Sequence, residues 1–531
     1  MKAFKKLTVI LMSAILSVSA LGAFGCGGRS DTENDLNINY WQSGYGIEFI
    51  NTAIEGFKAK HPEYNVNLYA SSQADSIMAG FGRGAKTDPV DLYISGSINR
   101  NRIKYAEPLN DILTEKADGN ESKTIGQKYM PEVLDSFKHL DGNYYNLAFA
   151  GSMAGIVYNN TIIDGENFQV PRTTDELATL SRDIIETEGM NVSPFIHFSE
   201  GYWNFLYPVF QAQYDGVDYY KNTFLTLGNQ DLSIPANQVQ AKAILTKEDG
   251  RLKAMEALQG IIDIDSIFAG SGSADFNSAQ TDFLNGNAAM MVNGGWLLNE
   301  MKKSDEVEAK FSIMRTPVIS SIIEKCPNID WDDELCALID AIDLAIDNGT
   351  PVNEIPLTGD GYEVELVDIQ KVYEARTIMM SLYNSSVFTI PNYSNAKKAA
   401  KDFIKYFYTD ANIVNFSRIT QTVMPVNLST EQAIDTTGWC GFELQQLELL
   451  ETTAPIYLYD VMPTTNILFT LGTASPYPKL NGLEFQYIFA DNDMANEPSK
   501  FQTAKMIWDK MVTVYNENFE SYLSTAGFTQ N

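Results

Sequence analysis

The residues of this chain best suited to chemistry are suited to holding a ligand without reacting with it. Trp41, Ser43 and Tyr45 stand in WQSGY, Ser95 precedes a glycine, and Gly295 precedes Trp296. An aromatic ring offers a flat apolar face, a serine a small donor and acceptor, and a glycine close approach of the backbone. Groups for covalent or metal chemistry are sparse. The only histidines are His61, His139 and His197, far apart in sequence, and none sits in His-Glu-x-x-His. No Gly-x-Ser-x-Gly occurs either, so a histidine-ligated metal and a serine triad are both poorly supported. GFGRGAKT at Gly80–Thr87 imitates a phosphate loop, but Ala85 replaces the required glycine and a helix, not a strand, precedes it. DNDMANE at Asp491–Glu497 starts like a calcium loop, yet Asn496 stands at the sharp turn and Gln502 at the bidentate position. Pairs of carboxylates arise by chance among 68 acidic residues, so a secreted carbohydrate-active hydrolase stays open as an alternative.

The elements that must position these residues can be read from periodicity. Phe276–Glu300 reads as helix, strand, helix: Asp275 or Asn277 caps the first helix, Gly286 stops it, and Ala288–Val292 is an unbroken apolar run suited to a buried strand. Asn293, Gly294 and Gly295 then place Trp296 at the mouth of the next helix, a position that suits a stacking face and ordinary core equally. Near the start, Leu36–Trp41 reads as a strand. Ile47, Ile50, Ile54 and Phe57 follow at helical spacing, and Val66, Leu68 and Ala70 alternate as a second strand. A further strand at Val90–Ile94 extends a parallel β-α-β pattern. Ligands of such sheets lie beyond the carboxyl ends of the strands, which singles out Trp41, Ser43 and Tyr45, then Ser95 and Gly96. In Asp141–Asn159 two strands meet at Gly151 and Ser152, as suits a segment crossing between lobes, and Thr173–Glu176 is a capping box. Core packing is the commoner fate of the aromatic run around Trp203. It is the expectation for Trp508 and for the stripe Ala399, Ala400, Phe403, Ile404 and Phe407.

With 531 residues, 44% of them hydrophobic, the chain can bury more than one core. A formal charge of −30 argues against nucleic acid and against adsorption on anionic lipid. Lys2, Lys5 and Lys6 precede an apolar run, Leu7–Ala20, too short to span a bilayer, and AFGC ends at Cys26. Residues 1–25 therefore read as a signal peptide whose end resembles a bacterial lipobox, which makes it a lipoprotein signal peptide with Cys26 the lipidated residue and 26–35 a tether; a soluble secreted protein is the alternative. Cys326, Cys336 and Cys440 form neither a disulfide framework nor a zinc site, and spacing leaves a Cys326–Cys336 pair open.

Four segments together resemble one family. They are the leader; YWQSGYG with its helix and HPEYNVNL; DGNYYNLAFAGSMAGIVYN through PRTTDEL; and FLNGNAAMMVNGGW, with NAKKAAKDFIKYFYTD and VMPVN adding order near the C-terminus. The chain resembles the extracellular solute-binding proteins of bacterial ABC importers, in the carbohydrate family that includes maltose-binding protein. That resemblance implies an α/β fold of two lobes around a hinge and a ligand cleft. It places lobe 1 at 36–148 plus about 308–395, with an acidic insertion at about 319–373, and lobe 2 at 149–307 plus about 396–531. It implies a carbohydrate ligand at Trp41, Ser43, Tyr45, Ser95, Gly151, Ser152, Trp203, Gly295 and Trp296, with no catalysis and no cofactor or metal. The implied partners are importer permease subunits, with membrane contact through the lipid alone, on the extracellular face, as a monomer. A peptide or another polar solute in the same fold is the other alternative.

Overall fold

The computed structural model describes residues 32–456 and 503–525, apart from 99, 140, 188, 199–201, 223–231, 263–267, 269–270, 272–273, 302–309, 384–385 and 431–433. The leader, Cys26, most of the tether and the Asp491–Glu497 segment lie outside the described residues. No helix among the described residues is long and apolar enough to cross a membrane.

Two mixed sheets carry the architecture. The first has the order β2-β1-β3-β12-β4, from β1 (Asp35–Trp41), β2 (Asn65–Ser71), β3 (Leu92–Ser95), β4 (Leu147–Ala148) and β12 (Val387–Thr389). The opening is the parallel β-α-β unit expected from periodicity. The helix Glu48–Lys60 buries Phe49, Ile50, Ala53, Ile54 and Phe57, and β1 pairs with β2 from Asp35↔Asn65 to Trp41↔Ser71. The second sheet runs β13-β11-β5-β7-β6, with β8 also on β5. Its strands are β5 (Ser152–Asn159), β6 (Ser193–Phe195), β7 (Ala288–Gly294), β8 (Phe311–Ile313), β11 (Ile378–Leu382) and β13 (Ala454–Ile456). All seven residues of β7 are buried, as its unbroken apolar run requires. The helix before it, Phe276–Leu284, is capped by Asp275, whose carboxylate accepts from the Ser278 N–H at 2.8 Å, and ends before Gly286 at φ 80°.

The later half of the chain is distributed differently from the expected partition. β8 and β11 both pair with β5, so the chain both enters and leaves the stretch from 311 to 382 on the second sheet. The acidic segment packs on that lobe too: Leu335, Leu338 and Ile339 of the helix Asp332–Asp347 share a core with Ile369 and Val372 of Leu366–Thr377. A small hairpin of β9 (Thr358–Gly359) and β10 (Tyr362–Glu363) joins them. The helices Lys397–Phe407 and Asp410–Thr420, expected in lobe 2, instead complete the first lobe. Phe403, Phe407 and Phe416 pack with Phe49, Phe57 and Phe149, and the Phe49–Phe416 ring centroids lie 5.1 Å apart. Lys128, with a fully buried ammonium, fastens them by pairing with Asp410 at 2.8 Å and Glu121 at 2.5 Å and donating to Tyr408 O at 2.7 Å. The physical reason for the misassignment is plain: a helical stripe shows which face is buried but not which complementary face covers it.

The chain crosses between sheets after Ala148, between Leu382 and Val387, and between Thr420 and Gly441, where a helix returns to β8 and β5 of the second lobe. The long helix Ala504–Thr525 buries Trp508, Met511, Tyr515 and Phe519, so its aromatics are packing, as expected. The Thr173 hydroxyl accepts from Glu176 N at 3.2 Å, while the Glu176 carboxylate accepts from Arg172 N at 2.8 Å, so the expected capping box is half formed. Cys326, Cys336 and Cys440 are free thiols.

Candidate functional site

The two lobes meet where the loop after β1 touches the helix after β7. A Cβ added to Gly44 would lie 2.9 Å from Trp296 Cβ, 3.0 Å from Glu300 Cγ and 3.2 Å from Glu300 Oε1, so only glycine permits this seating. Asn299 Nδ2 donates to Thr420 O at 2.9 Å, a second bond from the Leu297–Met301 helix to the first lobe.

Trp296 is half-buried at this junction. The glycines before it work in a way the sequence did not show. Its six-membered ring folds back over Gly294, where a Cβ would overlap it, and Gly295 brings the backbone against Ser152 Oγ and Gln446 Oε1. The close approach that these glycines permit is therefore to the protein's own side chains. Tyr202 and Phe205 meet Trp296 edge-on, at 5.9 Å and 84° and at 6.1 Å and 83°, and stack on each other at 4.6 Å. The result is a cluster of rings built from two segments of the second lobe.

Gly151 lies where a Cβ would enter the ring of Tyr383, just beyond β11, so the crossing strand passes directly beneath that ring. Ser152 Oγ donates to Gln446 Oε1 at 3.3 Å, and the Gln446 amide nitrogen is buried without a hydrogen-bond partner. Tyr45 is 9% exposed, packs against Phe416 at 6.1 Å, and its phenol is held neutral by burial, with Tyr383 and Glu300 nearby reinforcing the effect. Burial pushes Tyr383 up to about 12 as well. Glu300 is a carboxylate that burial raises to about 7, although a hydrogen bond from Gln280 works against the rise.

The structure thus brings Tyr45, Gly151, Ser152, Gly295 and Trp296 to one interlobe region. Ser43 is half-buried in the same first-lobe loop, holding its turn by accepting from Gly46 N at 3.0 Å. Trp41 makes its contacts within the first lobe, where its indole N–H donates to Ser72 O at 3.2 Å. Ser95 is a buried ladder residue opposite Val387 rather than a loop residue. Trp203 needs correction: at 1% exposure it lies in the second-lobe core against Phe195 and His197, because the short helix Trp203–Phe205 turns it inward and leaves Tyr202 facing Trp296. Sequence reasoning missed Tyr202, Phe205, Tyr383, Gln446 and Glu300. Only Glu300 had a legible signal, its four-residue spacing from Trp296, which puts both on one helical face. Among the described residues no cluster of histidine, cysteine, aspartate and glutamate could hold a metal ion.

An α/β chain of two lobes, with rings and small polar groups gathered where they meet, is built as a receptor that encloses a solute. Residues 43–413 match the family of bacterial extracellular solute-binding proteins, and the chain belongs to that family. The diacetylchitobiose binding protein NgcE of Streptomyces coelicolor is 24% identical over 301 residues, 55% of this chain and 58% of NgcE, so the chain matches less than two thirds of that relative. Among solved structures, the bacterial solute receptor AcbH, described as exclusively preferring β-D-galactopyranose, superposes with TM-score 0.60 at 12% identity, covering 92% of this chain and 99% of AcbH. The manno-oligosaccharide binding protein BlMnBP2 from Bifidobacterium animalis subsp. lactis gives TM-score 0.55 at 15% identity, covering 93% of this chain and 96% of its own. These structures share the two-lobed fold with this chain.

Proposed function

We propose that this protein captures a carbohydrate between its lobes and delivers it to the permease of an ABC importer, without transforming it. The observation that carries this reading is the pairing of aromatic and unsatisfied polar groups at the lobe junction. Trp296, with Tyr202 and Phe205 edge-on to it, offers apolar ring surface beside the partnerless Gln446 amide nitrogen. A sugar matches that combination, since its C–H face is apolar while its hydroxyls seek fixed donors and acceptors. Enclosing it stabilises the closed form, which a permease can recognise, so binding becomes a signal for docking. The oligosaccharide named for NgcE and the sugars named for AcbH and BlMnBP2 point the same way. Cys26 serves in this reading as a lipid anchor on the extracellular face, with the receptor body a monomer.

The test is intrinsic tryptophan fluorescence and thermal melting of residues 27–531 against a panel of sugars and peptides. A saturable spectral shift with a raised melting temperature for one glycan, and no product formed, supports the reading. A response to peptides alone keeps the fold and removes the carbohydrate; new reducing ends would make the protein a hydrolase. Mass spectrometry of membrane-extracted protein tests the anchor, through a diacylglyceryl adduct on Cys26.

A further inference from the structure

Glu300 stands one helical turn beyond Trp296. Its N–H donates to Trp296 O at 3.0 Å, which sets the two side chains on one face of the helix. Among the described residues the carboxylate accepts one hydrogen bond, from Gln280 Nε2 at 2.8 Å, and its other oxygen faces the first-lobe loop at Gly44. Gln280 is fully buried, and the carbonyl oxygen of the same amide has no donor. While the carboxylate is ionised, its bond to the amide N–H fixes the amide orientation, so this oxygen is not satisfied by turning the group over.

The described groups around this pair supply no positive charge. Gln280 approaches from the helix Phe276–Leu284, Tyr45 from the first-lobe loop and Tyr383 from the end of β11, and both phenols stay neutral through burial. No lysine, arginine or histidine among the described residues acts on Glu300. Among the described residues, one oxygen of a half-buried carboxylate and the oxygen of the buried amide bonded to it therefore both lack a donor. An ammonium group carries three N–H donors, no acceptor and the compensating charge, and aromatic faces nearby favour it further. A neutral hydroxyl would supply one donor and leave the charge in place.

We propose that Glu300 and Gln280 form an ammonium subsite, so that the ligand held most tightly between these lobes carries a free amine, as an unacetylated amino sugar does. This rests on the carbohydrate reading above and narrows it to a cationic class. Two consequences separate it from a structural role for Glu300. Glu300 stands near 7 before a ligand arrives, so a neutral sugar meets a mostly protonated carboxyl and its affinity stays level as pH rises from about 5 to about 7. An ammonium group displaces that proton, so its affinity rises over the same interval, by about tenfold or more.

The experiment is isothermal titration calorimetry with a glucosamine disaccharide and its diacetylated counterpart, on the wild-type chain, E300Q and Q280L, at several pH values in that interval. The expected result is a preference for the amine of about tenfold or more near neutral pH, reduced in Q280L and abolished in E300Q, where the pH slope for the amine also disappears. Equal affinities at neutral pH, or a preference that survives in E300Q, overturn the subsite while leaving the carbohydrate reading intact. If neither disaccharide nor any other sugar binds, both fail together. Unliganded melting curves that coincide with wild type show that the variants are folded.

Discussion

Replacing Gly44 by alanine adds one methyl group at the place where the first-lobe loop rests on the second lobe. The added carbon would sit 2.9 Å from Trp296 Cβ and 3.0 Å from Glu300 Cγ, both stems rather than flexible tips, so neither can swing away without moving its helix. Gly44 has no left-handed backbone requirement, so the strain falls on the contact between lobes and not on the loop itself. Overpacking of this kind costs about 1–3 kcal/mol, and opening the lobes relieves it entirely. The cost therefore appears only where the lobes must close, as a weakening of ligand binding by about 5-fold to about 150-fold. Calorimetry with the ligand found by screening measures it. Small-angle scattering without ligand gives an independent reading, since G44A should show a larger radius of gyration than wild type. The melting temperature of unliganded G44A should stay within a degree or two of wild type, because each lobe keeps its own core. Unchanged affinity and scattering would refute the closed seating of this loop on Trp296 and Glu300; a large loss of unliganded stability would show that the methyl group strains the first lobe instead.

Other changes probe other parts of the argument. Trp296→Ala should abolish the fluorescence response and weaken binding by about 1–3 kcal/mol, with Trp296→Phe recovering part of it, as titration of both variants will show. Asp215 is raised to about 6 by burial and by Asp249, against the Gly250 N–H it accepts at 3.0 Å. A carboxyl raised by folding contributes stability fully present below about 3.8 and lost as pH rises through about 6, so D215N should flatten about 3 kcal/mol of that slope in denaturant melts across the interval. Phe407→Ala should destabilise the first lobe by about 3–5 kcal/mol. Hydrogen exchange should then quicken in Glu48–Lys60 and not in β7; the reverse pattern would return this helix to the second lobe.

Local order was legible where one strong period met a clear stop. The helix and strand around Phe276–Gly294 could be read because Asp275, Gly286 and an apolar run agree, and the opening β-α-β unit because its periods switch cleanly. Partition between lobes was not legible. Phe403 and Phe407 look the same whether they cover Phe49 or a strand of the other lobe, and β11 and β12 are separated by only the stretch 383–386 although they join different sheets. The place of Trp296 at the mouth of a helix could be read because two glycines precede it. Tyr202 could not be told from Trp203, since neighbouring residues entering a short helix face different ways and nothing local fixes which faces Trp296. Gln446 was invisible, because its role depends on a helix that returns to the second lobe some 290 residues after Ser152 and rests its amide on that hydroxyl, a separation of 294 positions.

The order of strands in the first sheet constrains how this protein is made. β4 has β12 as its strand partner, and β12 alone links it to β3, so residues 147–148 wait for residues 387–389 before they can pair. During synthesis from the N-terminus, β1, β2 and β3 can assemble early, but β3 keeps an unpaired edge while the second lobe's strands β5 to β11 are being produced. The core of the first lobe waits longer still, for Phe403, Phe407 and Phe416. A loop of this span must close before its contacts are gained, which makes folding of the first lobe slow and late. A chain halted before Val387 should therefore present an open strand edge and an uncovered apolar helix face, the features that invite chaperone capture or aggregation.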